Sequence, residues 1–197
     1  MQSTMPAGSQ EILMGRFIAS LGTQSEDGSI HLTAVWYLFE GSSLYVATSS
    51  RSRKARNVLS RPKATLMVDI RTPASERGLV AVCTAEVIRG ESSKQINARI
   101  HRRYMSETAI ADPRAGGTMA AMDDITLKLT PTGWYTWDMR ILDDALFGGA
   151  MKTPGYLLPL DWGRVSVALA GTAGMALRSV AINQSGHGKR PKNEGKE

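Results

Sequence analysis

At 197 residues, 42% of them hydrophobic, the chain can bury the core of one domain and is too apolar for wholesale disorder. The formal charge of +6 invites a phosphate-bearing partner, but the cations gather in separate segments rather than along one reading helix, which suits a small anionic ligand at least as well as nucleic acid. Cys83 is the single cysteine and lies in an apolar run, which excludes a disulfide framework and a cysteine metal site. No apolar run approaches the roughly 18 residues of a membrane span and no secretory signal opens the sequence, so the cytoplasm is the expected location.

Residues 1–8 are small and polar and are expected to fray. Ser9 can cap a short helix carrying Glu11, Ile12, Leu13 and Arg16. A first strand is predicted at 17–23, then a hairpin turn at Asp27-Gly28 and a long second strand at 30–39. In that strand Ile30, Leu32, Ala34, Trp36 and Leu38 share one face, and His31, Thr33, Val35, Tyr37 and Phe39 the other. A strand at 44–48 runs into the most distinctive stretch, residues 51–63. It carries Arg51, Arg53, Lys54, Arg56, Arg61 and Lys63 and no acid, with Ala55, Val58 and Leu59 forming one apolar helical edge and Pro62 ending it.

Strands at 64–70 and 79–88 follow, then a helix at 92–105 on which Ile96, Ile100 and Tyr104 recur every fourth residue. Residues 106–123 read as an irregular connection with a helical turn near 119–122. A half-buried strand at 124–130 is broken by Pro131-Thr132-Gly133, and an aromatic strand closes the set at 134–139. Beyond Arg140 the pattern weakens into Gly- and Pro-rich loop. A small-residue helix is expected at 165–182, interrupted at Gly171 and Gly174, and a disordered basic tail at 184–197. The resulting division is 1–140 as the folded domain, 141–183 as an extension without assigned role, and 184–197 as tail. Short turns between antiparallel-type strands, with only two strong helices, indicate a mainly β small barrel or sandwich with accessory helices.

Chemistry-bearing motifs are sparse. There is no P-loop, no GxGxxG after a first strand, no HExxH and no GxSxG. His31 is expected on a strand surface, His101 on the charged side of a helix and His187 in the tail, so neither a metal set nor a nucleophile–base pair is formed. A strand feeding a serine-rich, cationic helix start could hold a phosphate through free amides, the positive helix end and side-chain cations; charge alone fits a solvated basic helix equally well. Trp134 and Trp137 have two readings, packing or the lining of a flat aromatic ligand, and Trp36 and Tyr37 share that ambiguity.

The order of the pieces is more specific than any one of them. Ala19-Ser-Leu-Gly-Thr23, the run from Asp27 to Phe39, Leu44-Tyr-Val-Ala-Thr48 and Ser52-Arg-Lys-Ala-Arg-Asn57, followed by Thr84-Ala-Glu86, Arg103-Tyr104 and Trp137-Asp138, together resemble the pyridoxamine 5′-phosphate oxidase-like superfamily. The resemblance covers residues 17–139 and implies a split β-barrel that binds FMN, or the deazaflavin F420, at a homodimer interface. Carried over by position, it makes Ser52, Arg53 and Lys54 a phosphate clamp, places Ala47 and Thr48 against the flavin, and lays Thr33, Ala34, Val35 and Trp36 along its ring. Arg56 and Asn57 resemble a run found in F420-using relatives, and Trp134 or Trp137 would line a substrate pocket.

The implied activity is hydride transfer with a small organic substrate on FMN, with an F420-dependent reductase as the alternative. Tyr37 is the one weak candidate for proton donor. A flavin or haem carrier without turnover is the reading from another class, with His101 or His187 as haem ligand; a nucleic-acid-binding protein is the third. Where pyridoxamine phosphate oxidases carry an arginine and a lysine on the second strand, this chain has Leu32 or Thr33 and Tyr37, and their C-terminal Arg-Leu-His-type motif is missing. Vitamin B6 phosphate is therefore not the implied substrate.

Overall fold

A computed structural model describes residues 4–158; the helix expected at 165–182 and the tail expected at 184–197 lie outside the described residues. Seven strands form one antiparallel sheet: β1 (Ala19–Gln24), β2 (Ile30–Val35), β3 (Leu38–Glu40), β4 (Ser43–Thr48), β5 (Lys63–Ile70), β6 (Arg77–Ile88) and β7 (Ile125–Asp138). Their order is β2-β1-β5-β6-β7-β4-β3. β2 and β3 are consecutive in the chain yet occupy opposite edges of the sheet. Only Trp36 and Tyr37 separate them, a step of about 10 Å at full extension. The sheet must therefore curl until its two edges face each other. That is the split β-barrel expected from the sequence, antiparallel and mainly β with accessory helices.

Alternating inward residues fill the barrel. Leu21, Leu44, Val46, Leu66, Val68, Leu79, Ala81, Leu127 and Leu129 are wholly buried, as β-strands with one face on a core require. In β2 the more apolar face is not the buried one. Of the two faces, the one carrying Ile30 and Leu32 points outward, these residues being 68% and 67% exposed, while Val35 and Tyr37 lie inside. Tyr37 can turn inward because its hydroxyl has internal partners. That hydroxyl sits 3.0 Å from the Leu13 carbonyl oxygen, 3.2 Å from that of Gly15 and 3.3 Å from that of Ile12.

These carbonyls end α1 (Ser9–Met14), a six-residue helix too short to stand alone. Arg103 completes its capture, with Nη2 donating to the carbonyls of Met14 at 2.9 Å, Leu13 at 3.3 Å and Gly15. A cation at the negative end of a helix adds favourable dipole energy. The guanidinium also lies over the rings of Tyr37 and Tyr104, 5.4 and 5.7 Å from their centroids. The continuous strand expected at 30–39 is broken at Trp36-Tyr37 by this anchorage.

Other boundaries shift for local reasons. β7 runs unbroken through Pro131, because a bulge opposite Val82 and Cys83 absorbs the residue that cannot donate to the ladder. The connection at 106–123 is not irregular. It contains α4 (Glu107–Ala111), a single π turn (Pro113–Gly117) and α5 (Thr118–Met122), pieces with no buried residue and hence no apolar period to detect. After Arg140 the chain forms α6 (Met139–Phe147) rather than loop, started by the Asp138 carboxylate accepting from the Arg140 amide and stopped by left-handed Gly148 at φ 60°. The remaining helices are α2 (Arg53–Ser60), which fulfils the cationic-helix expectation, and α3 (Gly90–Tyr104). Residues 4–156 group into one compact unit. Among the described residues no helix is long and apolar enough to cross a membrane.

α3 buries Ser93, Asn97 and His101 alongside Ile100, so its inner face is largely polar. His101 is 7% exposed and its Nε2 lies 2.9 Å from Asp123 Oδ2, which corrects the surface position expected for it. Tyr37→Phe should lower unfolding stability by about 1–3 kcal/mol, the range for orphaning buried polar groups, as read by urea denaturation. An unchanged midpoint would show that the α1 anchorage carries no net stability.

Candidate functional site

The two edges of the curled sheet leave a gap lined by backbone. β2 has β1 as its ladder partner, so its other edge is free. β3 covers β4 only as far as Tyr45, and residues 46–48 pair with β7 alone. α2 begins where β4 ends. Ser52 is its N-cap, with Oγ accepting from the Ala55 amide at 3.2 Å and receiving the Thr48 hydroxyl at 3.1 Å. The preceding turn is closed by Ser52 N–H donating to the Ser49 carbonyl at 3.0 Å. Asp124 braces it from the start of β7, accepting from the Ser50 amide and hydroxyl, each at 2.6 Å. Nothing in the sequence marked Asp124 for this role, since its partner lies 74 residues away.

The first two amides of α2, those of Arg53 and Lys54, have no acceptor among the described residues, as expected at a helix start. The Arg53 side chain is exposed and that of Lys54 half-buried. Burial lowers the Lys54 pKa below the ordinary lysine value, and the nearby Asp123 carboxylate opposes that shift. Asp123 is itself engaged by His101. The site therefore carries two side-chain cations and two free amides at a positive helix end, arranged to hold an anion.

Arg56 and Asn57 have structural partners. Arg56 Nη1 donates to the Arg51 carbonyl at 2.6 Å. Asn57 is buried, its Nδ2 donating to Thr23 Oγ1 at 3.0 Å and reaching Ser25 Oγ at 3.4 Å, which ties α2 to the end of β1. Both line an open groove of about 410 Å³ with Ser25, Glu26, Asp27 and Arg53. His31, expected on the strand surface, is half-buried. Its pKa is held below the ordinary value first by desolvation and then by Arg53 and Lys54.

Across the gap, Ala34 is exposed and Thr33 half-buried, while Val35 faces the core. Trp36 is half-buried and stacks on Tyr104 with centroids 5.0 Å apart and planes 4° from parallel. Tyr104 is fixed in turn by its hydroxyl donating to the Phe17 carbonyl at 2.8 Å. On β4, Ala47 is half-buried and Thr48 buried.

Three expected site residues lie elsewhere. Trp134 is 5% exposed in the barrel core and paired with Ala81. Trp137 sits at the far end of β7, against Gly78, where a Cβ would meet its ring at 2.4 Å. There it borders a separate groove of about 560 Å³ with Ile12, Arg77, Arg140 and Leu142. Tyr37 is wholly buried with its hydroxyl on main-chain carbonyls, and burial pushes its pKa up to about 12. A proton-donor role for Tyr37 is thereby withdrawn. Among the described residues no group of three or more His, Cys, Asp or Glu side chains could hold a metal ion.

The model of the pyridoxamine 5′-phosphate oxidase family matches residues 5–138, and the chain belongs to that family. Among solved structures, an F420 reductase superposes with a TM-score of 0.54 at 20% identity, covering 66% of this chain and 98% of its own. A conserved hypothetical protein from Mycobacterium tuberculosis gives a TM-score of 0.59 at 20% identity, covering 81% and 96%. A haem storage protein from Vibrio cholerae gives 0.52 at 17% identity, covering 68% and 94%. At these identities the likeness is one of fold. No curated protein matches the chain in sequence.

Ser52→Ala removes the cap of α2 and should cost about 1 kcal/mol of stability, whereas Ser52→Gly should cost only a few tenths. Thermal unfolding of both variants measures the difference, and equal losses would refute the capping role.

Proposed function

We propose that this chain is a flavin-dependent oxidoreductase that binds FMN and exchanges hydride with a small organic substrate. The observation carrying the reading is the juxtaposition of two unpaired strand edges with the unsatisfied start of α2. Ser52, Arg53 and Lys54 would hold the phosphate, a dianion suited to charge-assisted hydrogen bonds. The free edge of β2 along Thr33, Ala34 and Val35, with Ala47 and Thr48 opposite, would present main-chain donors and acceptors to the rim of a flat ring. Trp36, backed by Tyr104, would close the apolar side. When bound, FMN supplies the hydride chemistry; the protein's part is to grip the phosphate, orient the ring and exclude water. No side chain is assigned as proton donor.

A homodimer fits this reading, because Ile30 and Leu32 leave an exposed apolar strip on the outer face of β2. The F420 reductase among the structural neighbours supports F420 as the second reading. FMN stands ahead of it on electrostatics. The groove that Arg56 borders also carries Glu26 and Asp27, which oppose a longer anionic tail, and Asn57 is committed to Thr23. A haem carrier is less well supported, since His101 is engaged by Asp123 and His187 lies outside the described residues.

The absorbance spectrum of the protein as purified, followed by FMN and F420 titrations, tests the assignment; a colourless protein with no saturable uptake of either would overturn it. In the same titration, Arg53→Ala with Lys54→Ala should weaken FMN binding at least about tenfold, because hydrogen bonds to charged groups contribute about 1.5–3 kcal/mol each and the exposure of Arg53 reduces its share. Unchanged affinity would refute the phosphate clamp.

A further inference from the structure

The clamp has a third potential cation that neither its sequence position nor the proposed chemistry used. Thr23 and His31 are cross-strand partners on the face of β1 and β2 that turns inward. Thr23 is hydrogen-bonded to Asn57, and Arg53 lies one helical turn before Asn57 on the same side of α2. The imidazole is thus set beside the start of α2, with Arg53 and Lys54 as its charged neighbours. The acids nearby face those cations: Asp27, on the hairpin, acts on Arg53, and Asp123, before β7, acts on Lys54.

We propose that His31 is a proton-gated member of the anion clamp: its imidazole takes up a proton as a phosphate or sulfate group settles on Arg53 and Lys54, so that anion affinity rises as pH falls. The inference rests on α2 being the anion site. In the free protein, burial and two neighbouring cations all disfavour a charged imidazole, which therefore stays neutral near pH 7. A dianion placed among the three groups reverses the local field and favours the imidazolium. Between the depressed pKa of the free site and the higher pKa of the occupied one, linkage requires uptake of up to one proton per anion. Affinity then gains up to about tenfold for each unit of pH decrease across that window, with no gain above it. His31 touches no reacting atom in this scheme; it tunes how tightly the clamp closes.

Sulfate is the suitable probe, because it does not titrate between pH 5.5 and 8, whereas a phosphate monoester has a second pKa of about 6. Sulfate binding to the full-length protein would be measured by calorimetry across that range, in buffers of differing ionisation enthalpy, for wild type and His31→Gln. The expected result is a several-fold rise in wild-type affinity from pH 8 to pH 6 with measurable proton uptake, both lost in the variant, and matching affinities at pH 8. A flat wild-type profile, or the same slope in His31→Gln, overturns the role of His31 while leaving the clamp standing. Absence of sulfate binding at every pH overturns the clamp as well. Should the variant fold poorly, NMR titration of the wild-type imidazole decides the matter: the His31 pKa must rise on adding sulfate, and an unmoved value refutes the proposal.

Discussion

The fold depends on a length constraint. Two residues, Trp36 and Tyr37, join strands that belong at opposite edges of a seven-stranded sheet. So short a link cannot cross a flat sheet, so the sheet rolls up until the joined strand ends lie within about 10 Å of each other. The gap is a consequence of this closure. What fixes the link is the internal anchorage of Tyr37, whose hydroxyl and the Arg103 guanidinium share the orphan carbonyls of α1. One polar cluster thus docks the N-terminal helix, breaks the second strand and sets the width of the opening. Arg103 is costly to place there, with Nε buried and unpartnered. The rings of Tyr37 and Tyr104 beneath the guanidinium and the helix dipole offset part of that cost.

Much of the barrel was legible because strand alternation is a strong signal. The strands from β4 to β6 fall within two residues of their expected places, and the cationic helix starts at its serine cap. Misreadings arose where a side-chain interaction outweighed hydropathy. β2 turned the less apolar face inward because Tyr37 found carbonyl partners. α3 buried a polar face because Asn97, Ser93 and Thr126 satisfy one another, with Thr126 donating to Asn97 Oδ1 at 2.6 Å. Pro131 failed to end a strand because β7 bulges at Thr132, opposite Val82 and Cys83. None of these partnerships is encoded at a fixed spacing.

The same asymmetry governs the site. The cationic start of α2 at Ser52, Arg53 and Lys54 was readable because these residues are contiguous, and a helix start itself presents free donors. The surroundings of that helix start, Asp124, Asp123 and His31, were not, because they reach it through tertiary pairing. Trp134 and Trp137 illustrate the converse: β alternation sends neighbouring aromatics to the core and to a separate groove, so proximity in sequence is not proximity in space.

The brace between Asp124 and Ser50 has a kinetic meaning. Both oxygens of one carboxylate hold the turn before α2, so the loop that would receive an anion is already shaped by an internal one. Little backbone freedom is left to lose when a ligand arrives, and the entropic cost of capture falls mainly on the side chains of Arg53 and Lys54. Such a receptor favours rapid encounter with a compact charged group and gains little from a flexible one.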